Sequence, residues 1–257
     1  MSYLVALHSD KGIVRETNQD SLCVMEANTS AGKILMAVVC DGMGGLAKGE
    51  VASAAVVLSL CRWFEQELPA QITQKDYWQD IKFRWQQLLV DENQKIGRYG
   101  KTQRINLGTT VSALLLMEEQ RYLIAHVGDS RIYRMNDKQI WQLTEDQTVT
   151  ASEIRAGRLT PQQAETDSRR NVLLQCVGAS PKVQPDMIEG TAEKGQIYLL
   201  CSDGFRRKIS QADIHNQLRP STARTEEEMK NNLVRLTEIN KVRQEKDNIS
   251  SILIKTE

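Results

Sequence analysis

Five aspartates of this 257-residue chain lie at the ends of short apolar segments that are typical of buried strands. They are Asp20, Asp41, Asp129, Asp203 and Asp247. Taken singly, an Asp-Gly pair such as Asp41-Gly42 most often marks only a turn. A carboxylate at the end of a core strand is costly, however, unless it is hydrogen-bonded, paired with a cation or bound to a metal. Because strand ends can converge on one edge of a sheet, we predict that these carboxylates share one site.

The types of side chain available indicate which cation such a site would bind. Ligand sets made only of oxygen select hard cations such as Mg²⁺, Mn²⁺ or Ca²⁺. The three histidines, His8, His126 and His215, have no metal-ligand spacing, and His126 lies within a predicted strand, where a structural role is expected. Zinc is therefore disfavoured. Several carboxylates around hard ions suit a two-metal site that activates water and holds a phosphoryl group.

A phosphate-binding residue is also available near these acids. Arg15 lies five residues before Asp20 in a polar segment, and its guanidinium is a planar fork suited to two phosphate oxygens. The alternative interpretation is a solvated arginine in a loop. The glycines after Asp41 would let a ligand approach that carboxylate closely.

The same glycine-rich segment, residues 41–49, resembles two nucleotide-binding motifs. Gly42-x-Gly44-x-x-Ala47 imitates a dinucleotide fingerprint, but that fingerprint needs a second parallel strand about 20 residues later. An oxidoreductase therefore remains an alternative only if residues 60–105 contain such a strand. A P-loop is excluded, because Glu50 follows Gly49 where Lys-Ser/Thr is required.

The hydrophobic pattern predicts which elements position these residues. Strands are predicted at 21–26, 34–40, 109–117, 121–127, 130–135, 139–143, 183–189, 196–202 and 249–255, with a β-meander between 109 and 143. Helices are predicted at 49–68, 76–98 and about 225–240, with helix-like sequence at 149–170, and Trp78 and Trp85 as core anchors. Strands arrive mostly in hairpins and helices in pairs, which predicts an α+β fold with antiparallel sheets and helices outside. No linker divides the chain, so we predict one domain over residues 1–257.

Composition excludes several classes of partner. The 33 Lys and Arg balance 33 Asp and Glu, whereas a protein that binds nucleic acid or an anionic membrane would show a basic excess. No segment approaches the ~18 apolar residues that span a bilayer, and the first residues lack the basic region of a signal peptide. The five cysteines are far apart and form no CxxC pair. We therefore expect a cytoplasmic protein that binds neither nucleic acid nor membrane.

Eight segments in a fixed order resemble one known family. They are SDKGIVRETNQD (9–20), VVCDGMGG (38–45), LGTTVSALL (107–115), HVGDSRIYR (126–134), LTEDQT (143–148), LLQCVG (173–178), LLCSDGF (199–205) and DNISSILIK (247–255). Together they are similar to the metal-dependent serine/threonine protein phosphatases of the PPM, or type 2C, family in its bacterial form. The resemblance covers nearly the whole chain.

The resemblance implies a four-layer sandwich, in which pairs of helices flank two antiparallel β-sheets. It implies two Mn²⁺ or Mg²⁺ ions, with a third ion in some members, and a water bridging two ions that attacks phosphorus in line. The family ligands correspond to Asp41, the Gly42 carbonyl, Asp203 and Asp247, while Asp129 corresponds to a residue that helps to hold the third ion. Asp20 corresponds to an acid that acts through metal-bound water, and Arg15 to the arginine that binds the substrate phosphate. The implied partners are phosphoproteins of a cognate Ser/Thr kinase, and we expect a monomer.

Two departures from the family pattern motivate an alternative. Gln19 stands where many relatives have Glu, and Gln147 stands where His is frequent. Both would fit a regulator that binds phosphoproteins on the same fold with weak or no hydrolysis. Met43 replaces a histidine of many eukaryotic members but is usual in bacterial ones.

Residues 149–170 form a polar segment with four arginines, at positions 155, 158, 169 and 170. Its length and charge favour a mobile flap over the site that contacts the substrate protein. A solvated pair of surface helices is the alternative.

Overall fold

A computed structural model describes residues 2–29, 32–43, 48–118 and 120–257 of the chain. The strands in these ranges are β1 (Tyr3–Asp10), β2 (Ser21–Thr29), β3 (Gly32–Cys40), β4 (Gly42–Met43), β5 (Gly108–Thr109), β6 (Val111–Met117), β7 (Arg121–Val127), β8 (Arg131–Met135), β9 (Ile140–Gln142), β10 (Asp186–Thr191), β11 (Ile197–Cys201) and β12 (Ile249–Thr256). The helices are α1 (Gly49–Gln66), α2 (Leu68–Gln71), α3 (Tyr77–Gln103), α4 (Val149–Arg155), α5 (Pro161–Thr166), α6 (Asp203–Arg206), α7 (Gln211–Leu218) and α8 (Glu226–Val242).

Two five-stranded sheets form the centre of the fold. The first has the order β1-β12-β11-β8-β9 and the second the order β10-β7-β6-β3-β2, and every neighbouring pair is antiparallel. The strands β4 and β5 form a short separate ladder beside them. The predicted α+β class with antiparallel sheets is confirmed.

The sequence of β3 explains why it lies in the middle of these layers. Successive side chains of a strand point to opposite faces, and the two faces of β3 enter different hydrophobic clusters. Met36 and Val38 pack with α1 and α3, whereas Leu35 and Ala37 pack between the two sheets. A strand covered on both faces has a continuous apolar sequence rather than an alternating one.

A pair of long helices covers the outer face of the second sheet. Trp63 of α1 and Trp85 of α3 meet edge to face with ring centroids 5.3 Å apart, and both are fully buried. Trp78 is buried as well, so the interpretation of Trp78 and Trp85 as core anchors is confirmed. The helices α7 and α8 cover the first sheet in the same way, which completes the four-layer sandwich. Of the helices in the described ranges, none combines the length and hydrophobicity of a membrane-spanning segment.

The predicted β-meander between 109 and 143 is wrong, because the chain changes sheets in the middle of it. The strands β6 and β7 pair in the second sheet, whereas β8 and β9 pair in the first. The crossing occurs at Gly128, which has φ +109°, a conformation that favours glycine. A Cβ there would also lie 2.6 Å from the Thr110 side chain. The crossing segment contains Asp129.

The oxidoreductase alternative is also wrong. Residues 60–105 contain parts or all of α1, α2 and α3 and no strand, so the second parallel strand that a dinucleotide site needs does not exist there.

Candidate active site

Each predicted aspartate lies next to the end of a strand, and the strand pairing brings these strand ends close together. In the second sheet, Cys40 is opposite Ser21. Asp41, which follows Cys40, and Asp20, which precedes Ser21, therefore lie at the same end of this strand pair. In the first sheet, Cys201 lies between Ser251 and Arg131 of the adjacent strands. Asp203, Asp247 and Asp129 are each within a few residues of these three positions.

One cavity of about 550 Å³ is lined by most of the residues that the sequence analysis singled out. They are Arg15, Asp41, Gly42, Asp129, Asp203 and Asp247. Asp20 is not part of the cavity wall; its carboxylate oxygens are buried, and its charge acts on Asp41. The structure therefore brings all seven together. Gly44, Gly45 and Ala47 of the glycine-rich segment lie outside the described residues.

Two threonines fix the main chain at Asp41. The Asp41 N–H donates to Thr110 Oγ1 at 3.0 Å, and the Asp41 carbonyl accepts from the Thr110 N–H and the Thr109 hydroxyl, each at 2.9 Å. A Cβ at Gly42 would lie 2.3 Å from the Gln19 carbonyl oxygen and 2.5 Å from that of Gly49. Only glycine fits this position, and its main chain forms part of the cavity wall.

Asp203 is the first residue of α6, and only Ser202 separates it from the end of β11. It is 7% exposed, and its Oδ1 has no hydrogen-bond partner among the described residues. The next residue, Gly204, lies against the segment before β12, where an added Cβ would be 2.2 Å from the Asn248 carbonyl oxygen. This close approach brings Asp203 next to Asp247.

Asn248 connects that segment to the loop that carries Arg15. Its amide nitrogen donates to the carbonyls of Lys11 and Thr17 at 2.9 and 3.1 Å, and its amide oxygen accepts from the Gln19 N–H at 2.9 Å. Arg15 itself donates from Nε to Asp247 Oδ1 at 3.0 Å, and its side chain is 51% exposed. Arg15 is therefore placed beside the acids but open to the cavity.

The shared burial of these acids changes their pKa values. Burial raises the pKa of Asp41 well above its ordinary value, and the charges of Asp20, Asp203 and Asp247 raise it further. Burial likewise raises the pKa of Asp203 to about 8. The negative charge of Asp129 contributes to this rise, and the positive charge of Arg207 opposes it. For Asp20, burial raises the pKa to about 6, although nearby Ser250 and Ser202 hydroxyls act in the opposite direction. Crowded carboxylates of this kind are stabilised by an added cation.

The chemistry of the donors fits a hard divalent cation, and a buried acceptor supports this. Glu245 is 2% exposed, and its Oε2, like Asp203 Oδ1, has no hydrogen-bond partner in the part of the chain that is described. No three Asp, Glu, His or Cys side chains within the described ranges already form a metal-binding group. Two arginines lie among the acids instead, since Arg207 Nη1 is 3.6 Å from Asp247 Oδ2 and Arg15 Nη2 is 3.0 Å from Asp247 Oδ1. The carboxylate oxygens are thus suitable ligands for a hard divalent cation, and the guanidinium groups of Arg15 and Arg207 lie among them.

Asp129 has surroundings of its own. Arg206 donates to its carbonyl at 2.7 Å and lies 3.9 Å from its carboxylate. The same guanidinium donates to Asp146 at 3.1 Å, and Asp146 also accepts two hydrogen bonds from Arg131, at 2.7 and 2.8 Å. Burial raises the pKa of Asp129, and Arg206 acts against that rise.

Gln147 has a structural position that explains why an amide stands there. It is 7% exposed; its oxygen accepts from the Gly128 N–H at 2.8 Å, and its nitrogen donates to Asp186 at 2.8 Å. It therefore fixes the turn before Asp129, so its presence does not argue for a loss of hydrolysis. Gln19 donates from its amide to Glu50 at 3.2 Å, while its carbonyl supports Gly42 and Ser53.

His126 is a structural residue, as the sequence analysis predicted. It is fully buried, and its two ring nitrogens lie 2.9 Å from the Ser112 hydroxyl and 3.0 Å from the Glu145 carbonyl. Burial lowers its pKa.

Several residues that shape the site were not assigned a role from the sequence. They are Thr110, Asp146, Arg206, Arg207 and Asn248. Thr110, Asp146 and Asn248 lie within the segments that resemble the family, and this position in the sequence could have indicated their role in the site. The signal for Arg206 and Arg207 was two consecutive arginines, three and four residues after the strand-end acid Asp203.

A buried group of carboxylates beside an exposed arginine, at the end of two packed sheets, is the arrangement of side chains that a metal-dependent phosphatase requires. The model of the family described as "Protein phosphatase 2C" matches residues 8–240. The chain is 33% identical over 214 residues to protein phosphatase PhpP of Streptococcus pneumoniae, which covers 82% of each chain. This chain therefore belongs to the protein phosphatase 2C family and is an enzyme.

Solved structures agree with this assignment. A serine/threonine phosphatase of S. agalactiae matches with a TM-score of 0.83 at 27% identity, over 100% of both chains. The catalytic domain of the serine/threonine protein phosphatase PstP, described in complex with two manganese ions, matches with a TM-score of 0.77 at 27% identity, over 99% of both chains.

Proposed function

We propose that this enzyme hydrolyses phosphoserine and phosphothreonine in proteins with the help of bound Mn²⁺ or Mg²⁺. The observation that carries the proposal is the convergence of Asp41, Asp203, Asp247 and Arg15 on one cavity. The PstP relative that is described with two manganese ions supports the choice of cation.

We assign the metal ligands as Asp41, the Gly42 carbonyl, Asp203 and Asp247, with Asp20 as an outer acid that acts through water. When bound, the ions would activate a water molecule and neutralise charge on the phosphoryl group. The chain's own contribution is to hold these carboxylates rigidly, through Thr110 at Asp41 and through the contact of Gly204 with the segment before β12.

Arg15 would bind the phosphoryl group of the substrate. Its guanidinium is half-exposed at the cavity wall and already contacts a carboxylate through Nε and Nη2. Phosphate oxygens accept the same forked pair of hydrogen bonds. Because the Asn248 contacts fix the loop of Arg15, the guanidinium is oriented before the substrate arrives.

The substrates would be phosphoproteins of a cognate Ser/Thr kinase in the cytoplasm. The five cysteines are free thiols, which fits a reducing compartment. We further propose that the chain forms one phosphatase domain over residues 1–257 and acts as a monomer. Pairing of the first strand β1 with the last strand β12 supports a single folding unit.

The decisive experiment compares Asp41→Asn and Asp203→Asn with the unaltered enzyme. With Mn²⁺ and a phosphoserine peptide, we expect both variants to lose nearly all turnover, because each amide removes a charged ligand. Asp91→Asn, an exposed position on α3, is the matched control and should retain activity. Hydrolysis of p-nitrophenyl phosphate by the unaltered enzyme should stop on addition of a chelator. Full activity of either ligand variant would contradict the assignment.

We propose that residues 149–170 contact the substrate protein as a flap. The helices α4 and α5 border a cavity of about 440 Å³ that shares Asp129, Asn171 and Arg207 with the wall of the acidic cavity. The segment is thus next to the place where phosphate would bind.

Arg170 is the arginine of this flap that is available to a substrate. Three others are paired within the protein: Arg155 with Glu145, Arg158 with Glu153, and Arg169 with Asp167. Arg170 lines the 440 Å³ cavity and has no ion-pair partner among the described residues.

Arg170→Ala should raise KM severalfold for phosphopeptides with acidic residues near the phosphate and leave p-nitrophenyl phosphate hydrolysis unchanged. Arg158→Ala is the matched control, because it removes a flap arginine that is already paired. Equal effects of Arg170→Ala on peptide and aryl phosphate would count against the flap.

A further inference from the structure

We propose that Arg206 and Arg207 supply the positive charge at the Asp129 end of the cavity, so that the enzyme holds two divalent ions and Asp129 is not a ligand of a third. The inference rests on the proposed function, because it concerns the ions that the phosphatase would use. It differs from the expectation that the sequence resemblance attached to Asp129.

Arg206 contacts both the carbonyl and the carboxylate of Asp129 through one nitrogen, Nη2. It donates to the Asp129 carbonyl at 2.7 Å, and its Nη2 lies 3.9 Å from the Asp129 carboxylate. The side chain of Arg206 is only 14% exposed, and it also donates to Asp146 at 3.1 Å. A guanidinium this buried is a fixed charge, since moving it would take the Nη2 donor away from the Asp129 carbonyl and would leave Asp146 with one charged donor fewer beside Arg131.

Arg207 approaches the metal-ligand side of the same region. Its Nη2 forms an ion pair with Asp203 Oδ2, four residues earlier in the chain. Its Nη1 lies 3.7 Å from Glu245 and 3.6 Å from Asp247, and its charge also acts on Asp129. A cation bound jointly by Asp129 and Asp203 would therefore have to compete with this guanidinium for Asp203.

Each carboxylate at the Asp129 end of the cavity already has a guanidinium partner. Three carboxylates, Asp129, Asp146 and Asp203, face three guanidinium groups, Arg131, Arg206 and Arg207. A further divalent ion would find none of these three carboxylates without a guanidinium partner, and it would meet arginine charges at short range in a partly buried place.

The other end of the cavity is different. Of Asp20, Asp41 and Asp247, only Asp247 forms ion pairs with arginines in the described residues, with Arg15 at 3.0 Å and Arg207 at 3.6 Å. Asp203 also retains a buried oxygen without a hydrogen bond in the described part of the chain. The excess of negative charge is therefore at the Asp41 end. This distribution places two ions near Asp41 and none at Asp129.

The number of bound ions tests the inference directly. The full chain is stripped with a chelator, returned to buffer and titrated with Mn²⁺, while the electron paramagnetic resonance signal of free Mn²⁺ gives the number bound. We expect two ions per chain for the unaltered enzyme. Three ions would overturn the inference.

Variants of Arg207 separate its charge from its shape. Arg207→Ala should raise the count from two to three, because Asp203 and Asp129 lose the competing cation. Arg207→Lys keeps the charge and should remain at two. Arg224→Ala, which removes an exposed arginine paired with Glu228, is the matched control and should also remain at two. A count of two for Arg207→Ala would overturn the inference.

Asp129→Asn gives a test that does not depend on the folding of an Arg207 variant. In the unaltered background the count should stay at two, and a fall to one would show that Asp129 is a ligand and overturn the inference. In the Arg207→Ala background the same change should return the count from three to two.

The same preparations distinguish this inference from the proposed function. An enzyme that hydrolyses a phosphoserine peptide with Mn²⁺ but binds three ions overturns only the inference. An enzyme that binds two ions but shows no Mn²⁺-dependent hydrolysis overturns the proposed function and leaves the two-ion site in place. Absence of any bound Mn²⁺ overturns both.

Discussion

Replacing Asn248 by alanine should loosen the loop that carries Arg15 without removing any residue that would touch substrate or metal. Asn248 is 5% exposed, and its amide makes three hydrogen bonds to main-chain atoms of Lys11, Thr17 and Gln19. The loop has no regular secondary structure between β1 and β2, so these bonds are an important part of what orders it.

The magnitude follows from the number of bonds. A hydrogen bond contributes about 0.5–1.5 kcal/mol net, so the loss of three should lower the free energy of unfolding by about 3 kcal/mol. If the disordered loop also forfeits the charged hydrogen bonds of Arg15 to phosphate, worth about 1.5–3 kcal/mol, kcat/KM should fall about 10- to 100-fold.

Urea denaturation and phosphopeptide kinetics with Mn²⁺ measure the two effects. Asn28→Ala is the matched control, because Asn28 is an exposed residue near the end of β2. Asn248→Asp tests the two donated hydrogen bonds separately. It keeps an acceptor for the Gln19 N–H but places a carboxylate oxygen against the carbonyls of Lys11 and Thr17. Its stability and kcat/KM should therefore be no higher than those of Asn248→Ala. An Asn248→Ala enzyme with unchanged stability and kcat/KM within twofold would refute the reasoning.

Three further outcomes are expected. Arg15→Ala should lower kcat/KM about 10- to 100-fold through lost charged hydrogen bonds, and an unchanged kcat/KM would remove Arg15 from the site. Gln147→Ala should lower the free energy of unfolding by about 2 kcal/mol in urea, because the Gly128 N–H and Asp186 lose partners; equal loss in the exposed variant Gln162→Ala would contradict this. Burial lowers the pKa of His126 from its ordinary value of 6.5, so on acidification the unfolded state is protonated before the folded state. As the pH falls below about 6.5, the free energy of unfolding should therefore decrease by up to about 1.4 kcal/mol per pH unit. His126→Gln should show a smaller loss between pH 7.5 and 5.5, and an identical loss would refute the assignment.

The sequence predicted the core strands well because burial leaves a strong local pattern. The apolar segments of β3, β11 and β12 are covered on both faces, so their boundaries fall close to the predicted ones. The strand predicted at 183–189 is shifted, since β10 spans Asp186–Thr191 and has a mixed, partly exposed sequence. The strand β1 and the helix α7 were not predicted. The helix α7 is short for a helix, with 8 residues, and the strand β1 is partly exposed.

The change of sheet at Gly128 could not be predicted from the hydrophobic period. The strands on both sides of it, β7 and β8, alternate in the same way whether they pair with each other or with different sheets. Pairing is decided by long-range partners, such as Cys201 opposite Arg131. The same limit applies to the arginines of the site, because nothing local distinguishes a solvated Arg207 from one paired with Asp203.

The acids of the site come from both sheets, and this links catalysis to the packing between them. Asp20 and Asp41 adjoin strands of the second sheet, whereas Asp203 and Asp247 adjoin strands of the first. Their separation is therefore set by the side chains between the sheets, among them Val39 and Leu200, which are fully buried. Protein interiors are close-packed, so a change of volume there is transmitted rather than absorbed. The distance between the two groups of carboxylates is thus a property of the whole sandwich, which explains why the family-like segments are spread along nearly the entire chain.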